Sequence, residues 1–201
     1  MMEKQLQKFR QDLLSYMPGN EQEEQDKQLM LHYLDTEPDL FTRNNPLVHF
    51  TASGWIVNPK RSKVLMVYHN IYDSWSWTGG HADGEMDLLA VAMKEGQEET
   101  GAVHLSPISR DIFSIEALTV DGHVKRGKYV SSHIHLNVTY LLQAEETDTL
   151  IIKPDENSGV QWIPVGEIEE KVSEPWMMER IYRKLLQRMK TFAKESCEKQ
   201  E

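Results

Sequence analysis

Between residues 128 and 143 apolar and polar side chains alternate with a period of two. This places Ile134, Leu136, Val138 and Tyr140 on one face of a strand and His133, His135, Asn137 and Thr139 on the other. The apolar face reads as core and the polar face as the lining of a pocket. Stretches of strand-like composition at residues 49–57 and 63–69 flank an Asn58-Pro59-Lys60 turn, and a third at residues 111–120 ends at Asp121-Gly122. Elsewhere the spacing is helical. Residues 2–35 carry apolar positions three to four apart (Leu6, Phe9, Leu13 and Leu14, then Met30, Tyr33 and Leu34), interrupted at Pro18-Gly19-Asn20, which predicts two short helices. Residues 165–172 and 175–192 also read as helices. The second is amphipathic through Trp176, Met177, Ile181, Leu185, Leu186 and Met189 and suited to cover a sheet. The chain contains no internal repeat or low-complexity tract.

One further helix, ending at Gly101, carries Glu95, Glu98 and Glu99 one turn apart, so their carboxylates crowd one face. Like charges at this spacing repel by a few tenths of a kcal/mol per pair, roughly, and the macrodipole disfavours anions in a last turn. A hard divalent ion with oxygen ligands reverses both effects; a solvated acidic face is the other reading of such a charge run. Ahead of the helix lie an aromatic, strand-like run from Trp75 to Thr78, then Gly79 and Gly80, a turn around Asp83-Gly84, and Asp87 as a helix cap.

The segment from Gly79 to Ala102 resembles the Nudix box, the loop-helix signature of the Nudix pyrophosphohydrolases. Its pattern is a Gly, five residues, Glu, seven residues, Arg-Glu, an apolar residue, any residue, Glu-Glu, any residue, Gly and an apolar residue. Gly80, Glu95, Glu98, Glu99, Gly101 and Ala102 match. Three positions depart. Met86 stands at the first Glu, with Glu85 one residue early; Lys94 replaces Arg, turning a bidentate contact into a point-charge contact; and Gly96 fills the apolar slot, which suggests close packing of another backbone.

The resemblance extends over roughly residues 46–190 and implies an α/β fold, a Nudix-like α/β/α sandwich with a mixed sheet. Residues 46–201 would form that domain with a C-terminal helix, and residues 1–45 an N-terminal helical extension. It further implies that Glu95, Glu98 and Glu99 hold Mg2+ or Mn2+, and that Gly79, Gly80, His81 and Lys94 border the metal and phosphate site. Residues 153–162 resemble a loop and short strand that in many Nudix hydrolases carry a further acid before a Trp; Glu156 is the match, with Asp155 next. Glu98, Glu99 and Glu156 are the candidates for general base. The implied reaction is Mg-dependent hydrolysis of a diphosphate linkage in a nucleoside diphosphate joined to another group, as in a nucleoside triphosphate, nucleotide sugar or ADP-ribose. The alternative is a Nudix fold that binds a nucleotide or ADP-ribose without turnover, although such modules typically lose box glutamates. Isopentenyl diphosphate isomerases share the fold but rely on a core cysteine, which Cys197 does not supply.

Composition narrows the picture. A chain of 201 residues can bury a sizeable core as one domain, and no stretch reads as a membrane span or signal peptide, so a cytoplasmic location is expected. Its one cysteine, Cys197, sits in a charged tail and provides neither a disulfide framework nor a thiolate metal site. The net charge of -10 argues against long nucleic acid as a partner. A small phosphorylated substrate, a nucleotide above all, is compatible once a cation screens the acids. The N-terminal helices are expected to pack on the domain, and they offer a surface for the homodimer that Nudix proteins often form. His133 and His135 share a strand face, a spacing open to metal ligation, but no nearby third ligand completes a site and they read as polar or substrate-contacting groups. Lys125, Arg126 and Lys128 read as an exposed hairpin loop rather than a phosphate site. Trp55, Trp75 and Trp77 read as core or cleft wall.

Overall fold

The computed structural model describes residues 2–125 and 127–198. Helices α1 (Met2–Ser15) and α2 (Glu21–Thr36) precede the strands β1 (Val48–Val57), β2 (Lys63–His69), β3 (Ser74–Ser76) and β4 (Thr78–His81). Helix α3 (Leu88–Thr100) follows, then β5 (Ser106–Pro107), β6 (Ser114–Val120), β7 (His123–Lys125), β8 (Lys128–Val130), β9 (His133–Gln143) and β10 (Asn157–Pro164). Beyond these come α4 (Ile168–Lys171), α5 (Pro175–Met177), a π-helical turn over Met178–Tyr182, and α6 (Arg183–Glu198). The interruption at residues 18–20 separates α1 from α2 as its turn residues predict. Asn20 caps α2, its Oδ1 accepting from the Glu23 amide at 2.9 Å, a contact worth about 1 kcal/mol.

Strand β1 organises the sheet. Along one edge it runs parallel to β9, in register from Val48↔Ile134 to Val57↔Gln143. Along the other it pairs antiparallel first with β4 (Thr51↔His81 to Gly54↔Thr78) and then with β2 (Ile56↔Leu65). β6 and β5 add antiparallel to β9, and β3 and β10 to β2, so the sheet is mixed. Parallel neighbours need a crossover, and here the connection carries α3 across one face. The alternation along β1 divides the interior in two. Phe50, Ala52 and Ile56 join Leu88, Val91, Leu136 and Val138 in a core that also takes in Phe9, Leu13 and Met30 of the N-terminal helices. Trp55 and Val57 face the opposite core with Ile168, Ile181, Tyr182 and Leu185. The result is the α/β/α sandwich with N-terminal helices that the sequence implied.

Two expectations change. The strand expected at residues 128–143 is two strands, because β8 leaves the main sheet to pair with β7 and the Gly122 amide bonds Ser132 Oγ at 2.9 Å across the break. The polar face of β9 is also not one continuous pocket lining. Asn137 and Thr139 are buried, both donating to Glu116 Oε2 of β6 at 2.8 and 2.9 Å. Lys184 of α6 closes over them, with its Nζ 2.9 Å from Glu116 and 3.2 Å from Glu23 of α2. Only the histidine end of that face stays partly open. All of Arg126, and the side chains of Lys125 and Cys197, lie outside the described residues. Among those described, no helix is long and apolar enough to cross a membrane.

Candidate active site

Local chemistry fixes the loop that leads from β4 into α3. Asp83 and Gly84 adopt positive φ (46° and 95°), and Arg43 holds Asp83 with two 2.8 Å hydrogen bonds. Glu85, the acid displaced by one residue from the pattern, accepts from the Asp87 amide at 2.8 Å, while Met86 packs on the core. Asp87 caps α3 through the Ala90 amide at 3.2 Å. Gly101 ends the helix at φ 75°, as predicted, and a Cβ there would lie 2.9 Å from the Ile151 nitrogen. That close approach docks residues 150–157 on the end of α3. The Ile151 amide donates to the Thr100 carbonyl at 2.8 Å, and Asn157 Nδ2 donates to the Glu99 carbonyl at 3.0 Å. Gly96 makes room for the side chains of Leu105 and Ile56, which would lie 2.9 and 3.2 Å from a Cβ at that position, and not for another backbone.

The docked loop carries Glu156 to α3. Oxygens of Glu95, Glu99 and Glu156 all lie within 4.8 Å of one another. Gly80 sits so close that its Cβ would fall 2.5 Å from the Glu95 carboxyl carbon, so any side chain there would displace the acid. Gly79 faces Ser53 and Ala52 in the same way. Glu98 stands outside this trio with its side chain 44% exposed, 3.6 Å from Lys94 and 3.3 Å from Lys153. Lys153 also reaches Glu156 at 2.9 Å, and Lys94 reaches Glu95 at 3.5 Å. Lys153 was not singled out from the sequence, because only the folded loop brings it to the helix. Lys94 makes the point-charge contacts expected of a lysine at the Arg position.

Burial, reinforced by the charges of Glu95 and Glu156, pushes the Glu99 carboxyl up to about 9, against the Gly79 amide, which favours ionisation. Burial also raises Glu95, opposed by Lys94 and Lys153. Desolvation works against the charge on Lys153, yet Glu156 and its neighbours hold the ammonium above its ordinary value. The group is short of positive charge, its donors are all oxygens, and a hard divalent cation fits such a set.

The opening of β9 requires a correction. His133 and His135 do have further partners, since the sheet brings His49 of β1 and His81 of β4 to them, four rings whose ligating nitrogens lie within 4.8 Å of one another. Strand register supplies His49, which the sequence hides in an apolar stretch. A concavity of about 850 Å3 between the start of α2 and α6 is lined by none of these glutamates or histidines. Trp55 stacks on Tyr182 and Trp77 meets it edge-on, so both serve packing.

The family model described as the NUDIX domain matches residues 48–189. A Nudix-family hydrolase from Clostridium perfringens is similar in structure with a TM-score of 0.51, at 17% identity over 72% of this chain and 97% of that one. The MutT protein from Methanosarcina mazei gives 0.52, at 14% identity over 68% and 91%. At these identities the likeness concerns the fold. No curated protein matches the sequence. With the domain model spanning most of the chain and the glycine loop leading into the acidic helix, this chain belongs to the Nudix family of pyrophosphate-bond hydrolases.

Proposed function

We propose that the protein hydrolyses a diphosphate linkage in a nucleoside diphosphate joined to another group, of the nucleoside triphosphate, nucleotide sugar or ADP-ribose type, using Mg2+ or Mn2+. The carrying observation is the trio Glu95, Glu99 and Glu156, whose oxygens crowd within 4.8 Å around a deficit of positive charge. These three residues would hold the metal. A divalent ion bound there supplies charge to neutralise phosphate oxygens and acidifies a coordinated water. Glu98, half-exposed beside the trio, is then the carboxylate placed to accept a proton from the attacking water. Lys153, between Glu98 and Glu156, offers a cation to the arriving phosphate. Gly80, by lacking a side chain, leaves Glu95 its position. Residues 1–45 serve as an extension packed on the 46–201 domain, Phe9, Leu13 and Met30 being buried in its first core. In this reading the enzyme works in the cytoplasm on a small phosphorylated substrate.

The test is release of phosphate, pyrophosphate or nucleoside monophosphate from a panel of nucleoside diphosphate derivatives with Mg2+ and with Mn2+. Metal-dependent release is expected from the wild type. In Glu98→Gln the loss should fall on kcat with metal affinity kept, whereas Glu99→Gln should lose metal affinity as well. Tight nucleotide binding without release under either metal would replace this reading with the binding-only one.

A further inference from the structure

The four histidines form a group of their own beside the carboxylates. His49 registers opposite His135 across the parallel β1–β9 pair, His133 lies two residues upstream on the same face, and His81 closes the group from the end of β4. Ring centroids are 5.0 Å apart for His49–His133 and His49–His135, 5.2 Å for His49–His81, 4.9 Å for His81–His135 and 4.8 Å for His133–His135. Packing alone does not account for how the nitrogens are aimed. His49 Nδ1 lies 3.1 Å from the Asn45 carbonyl and His133 Nδ1 lies 2.8 Å from the Ser131 carbonyl. A carbonyl only accepts, so each Nδ1 carries a proton and each ring turns its Nε2 inward. Backbone carbonyls orient metal-bound histidines in the same manner.

Inside the group one buried nitrogen is left unmet. His133 Nε2 and His135 Nε2 are 3.0 Å apart, a contact that one proton satisfies. His49 is 4% exposed and its Nε2 is buried without a hydrogen-bond partner. Leaving such an acceptor unmet costs about 1–3 kcal/mol. A metal cation held by the inward-facing nitrogens would meet it.

We propose that His49, His81, His133 and His135 form a second metal site, for a borderline divalent transition ion of the Zn2+ class. The donor set decides the class: neutral imidazoles suit Zn2+, Co2+ and Ni2+, whereas Mg2+ takes oxygen. A tetrahedral ion with Zn–N bonds of about 2.1 Å needs nitrogens roughly 3.4 Å apart; small side-chain rotations reach that spacing from nitrogens within 4.8 Å of one another, the His133 and His135 Nε2 atoms at 3.0 Å parting slightly. His81 and His135 are only half-buried, which leaves the ion a solvent-facing side. His81 directly follows Gly80, the residue against Glu95, so the imidazole site adjoins the carboxylate site along β4.

The test uses the full chain, freed of metal with a chelator and titrated with Co2+ in excess Mg2+ to occupy the carboxylates. One equivalent of Co2+ should bind with the visible absorption of a nitrogen-ligated, low-coordinate ion, and Zn2+ should displace it. Glu99→Gln should retain this binding. His135→Gln should weaken it by about 100-fold or more, and His133→Gln, near the strand's end, provides a second variant should the first fail to fold. Binding that disappears in Glu99→Gln but survives in either folded histidine variant would overturn the assignment. So would absence of the Co2+ band in the wild type.

Discussion

Glu23, Glu116, Lys184 and Arg188 bring two negative and two positive charges together beneath the sheet, with Glu23 and Glu116 wholly buried and linked to the cations at 2.6 to 3.2 Å. Glu95, Glu99 and Glu156 bring three carboxyl groups together, with Lys94 and Lys153 beside them. Desolvation pushes Glu23 and Glu99 in the same direction, upward, yet the outcomes are opposite. Lys184, the Gly19 amide and Arg188 bring Glu23 below its ordinary value, while Glu95 and Glu156 drive Glu99 further up. The neighbours decide which buried acid is structural and which awaits a counter-ion. A balanced buried network is a completed interaction, and breaking it should harm the fold; an unbalanced one is completed from outside, and relieving it should help the fold and end the function.

The largest effect should come from Lys184→Met, which leaves two buried carboxylates with Arg188 alone. Loss of one partner from a buried ionic group costs about 3–5 kcal/mol, to be read from urea denaturation. A loss under about 1 kcal/mol would mean that the network is incidental. Next in size is an opposition in pH dependence. Glu23 has a folded pKa below 4.5, so its contribution is present above that value and disappears as pH falls through the folded pKa. Glu99 is the reverse case. In metal-free protein the folded state keeps its proton up to about 9, so stability should decline as pH rises from 4.5 toward 9. Glu23→Gln should remove the acid-side loss and Glu99→Gln the alkaline-side loss; the same slope for both variants would dissolve the distinction. Smaller again is Lys153→Met, which should lower metal-free stability by about 1 kcal/mol, with Mg2+ restoring it. The smallest belongs to His104, an exposed ring 2.6 Å from Asp148 that raises its pKa. His104→Gln should matter slightly below pH 6.5 and cease to matter as pH rises past the raised value.

The two regions also differ in how far the sequence announces them. Glu95 and Glu99 are one helical turn apart, and Gly80, Asp87 and Gly101 mark the loop, cap and end around them, so α3 and most of the carboxylate site follow from local spacing. Glu156 is legible only as an acid ahead of Trp162; its arrival depends on Ile151 and Asn157 bonding the end of α3. Nothing local announces Lys184, which reads as one polar residue of an amphipathic helix until α2 and β6 pack against it. The histidine group falls between these cases. The alternation along β9 aligns His133 with His135, but His49 and His81 join them through strand register, a long-range property that no window of sequence contains. Asn137 and Thr139 mislead for the same reason, since a polar strand face is a pocket or a buried network according to what covers it.

The central claim is that the carboxylate trio is incomplete without a cation. It is tested most directly by measuring, in wild type and Glu99→Gln, the metal-free melting temperature together with turnover of the responsive substrate in Mg2+. The account predicts a metal-free gain for the variant, about 2–4 °C for each kcal/mol of burial and repulsion cost removed. It also predicts a fall in kcat/KM of about 100-fold to 1,000-fold, or ~3–4 kcal/mol of transition-state stabilisation. A variant that melts lower than the wild type without metal, and turns substrate over at the wild-type rate with it, would contradict the account.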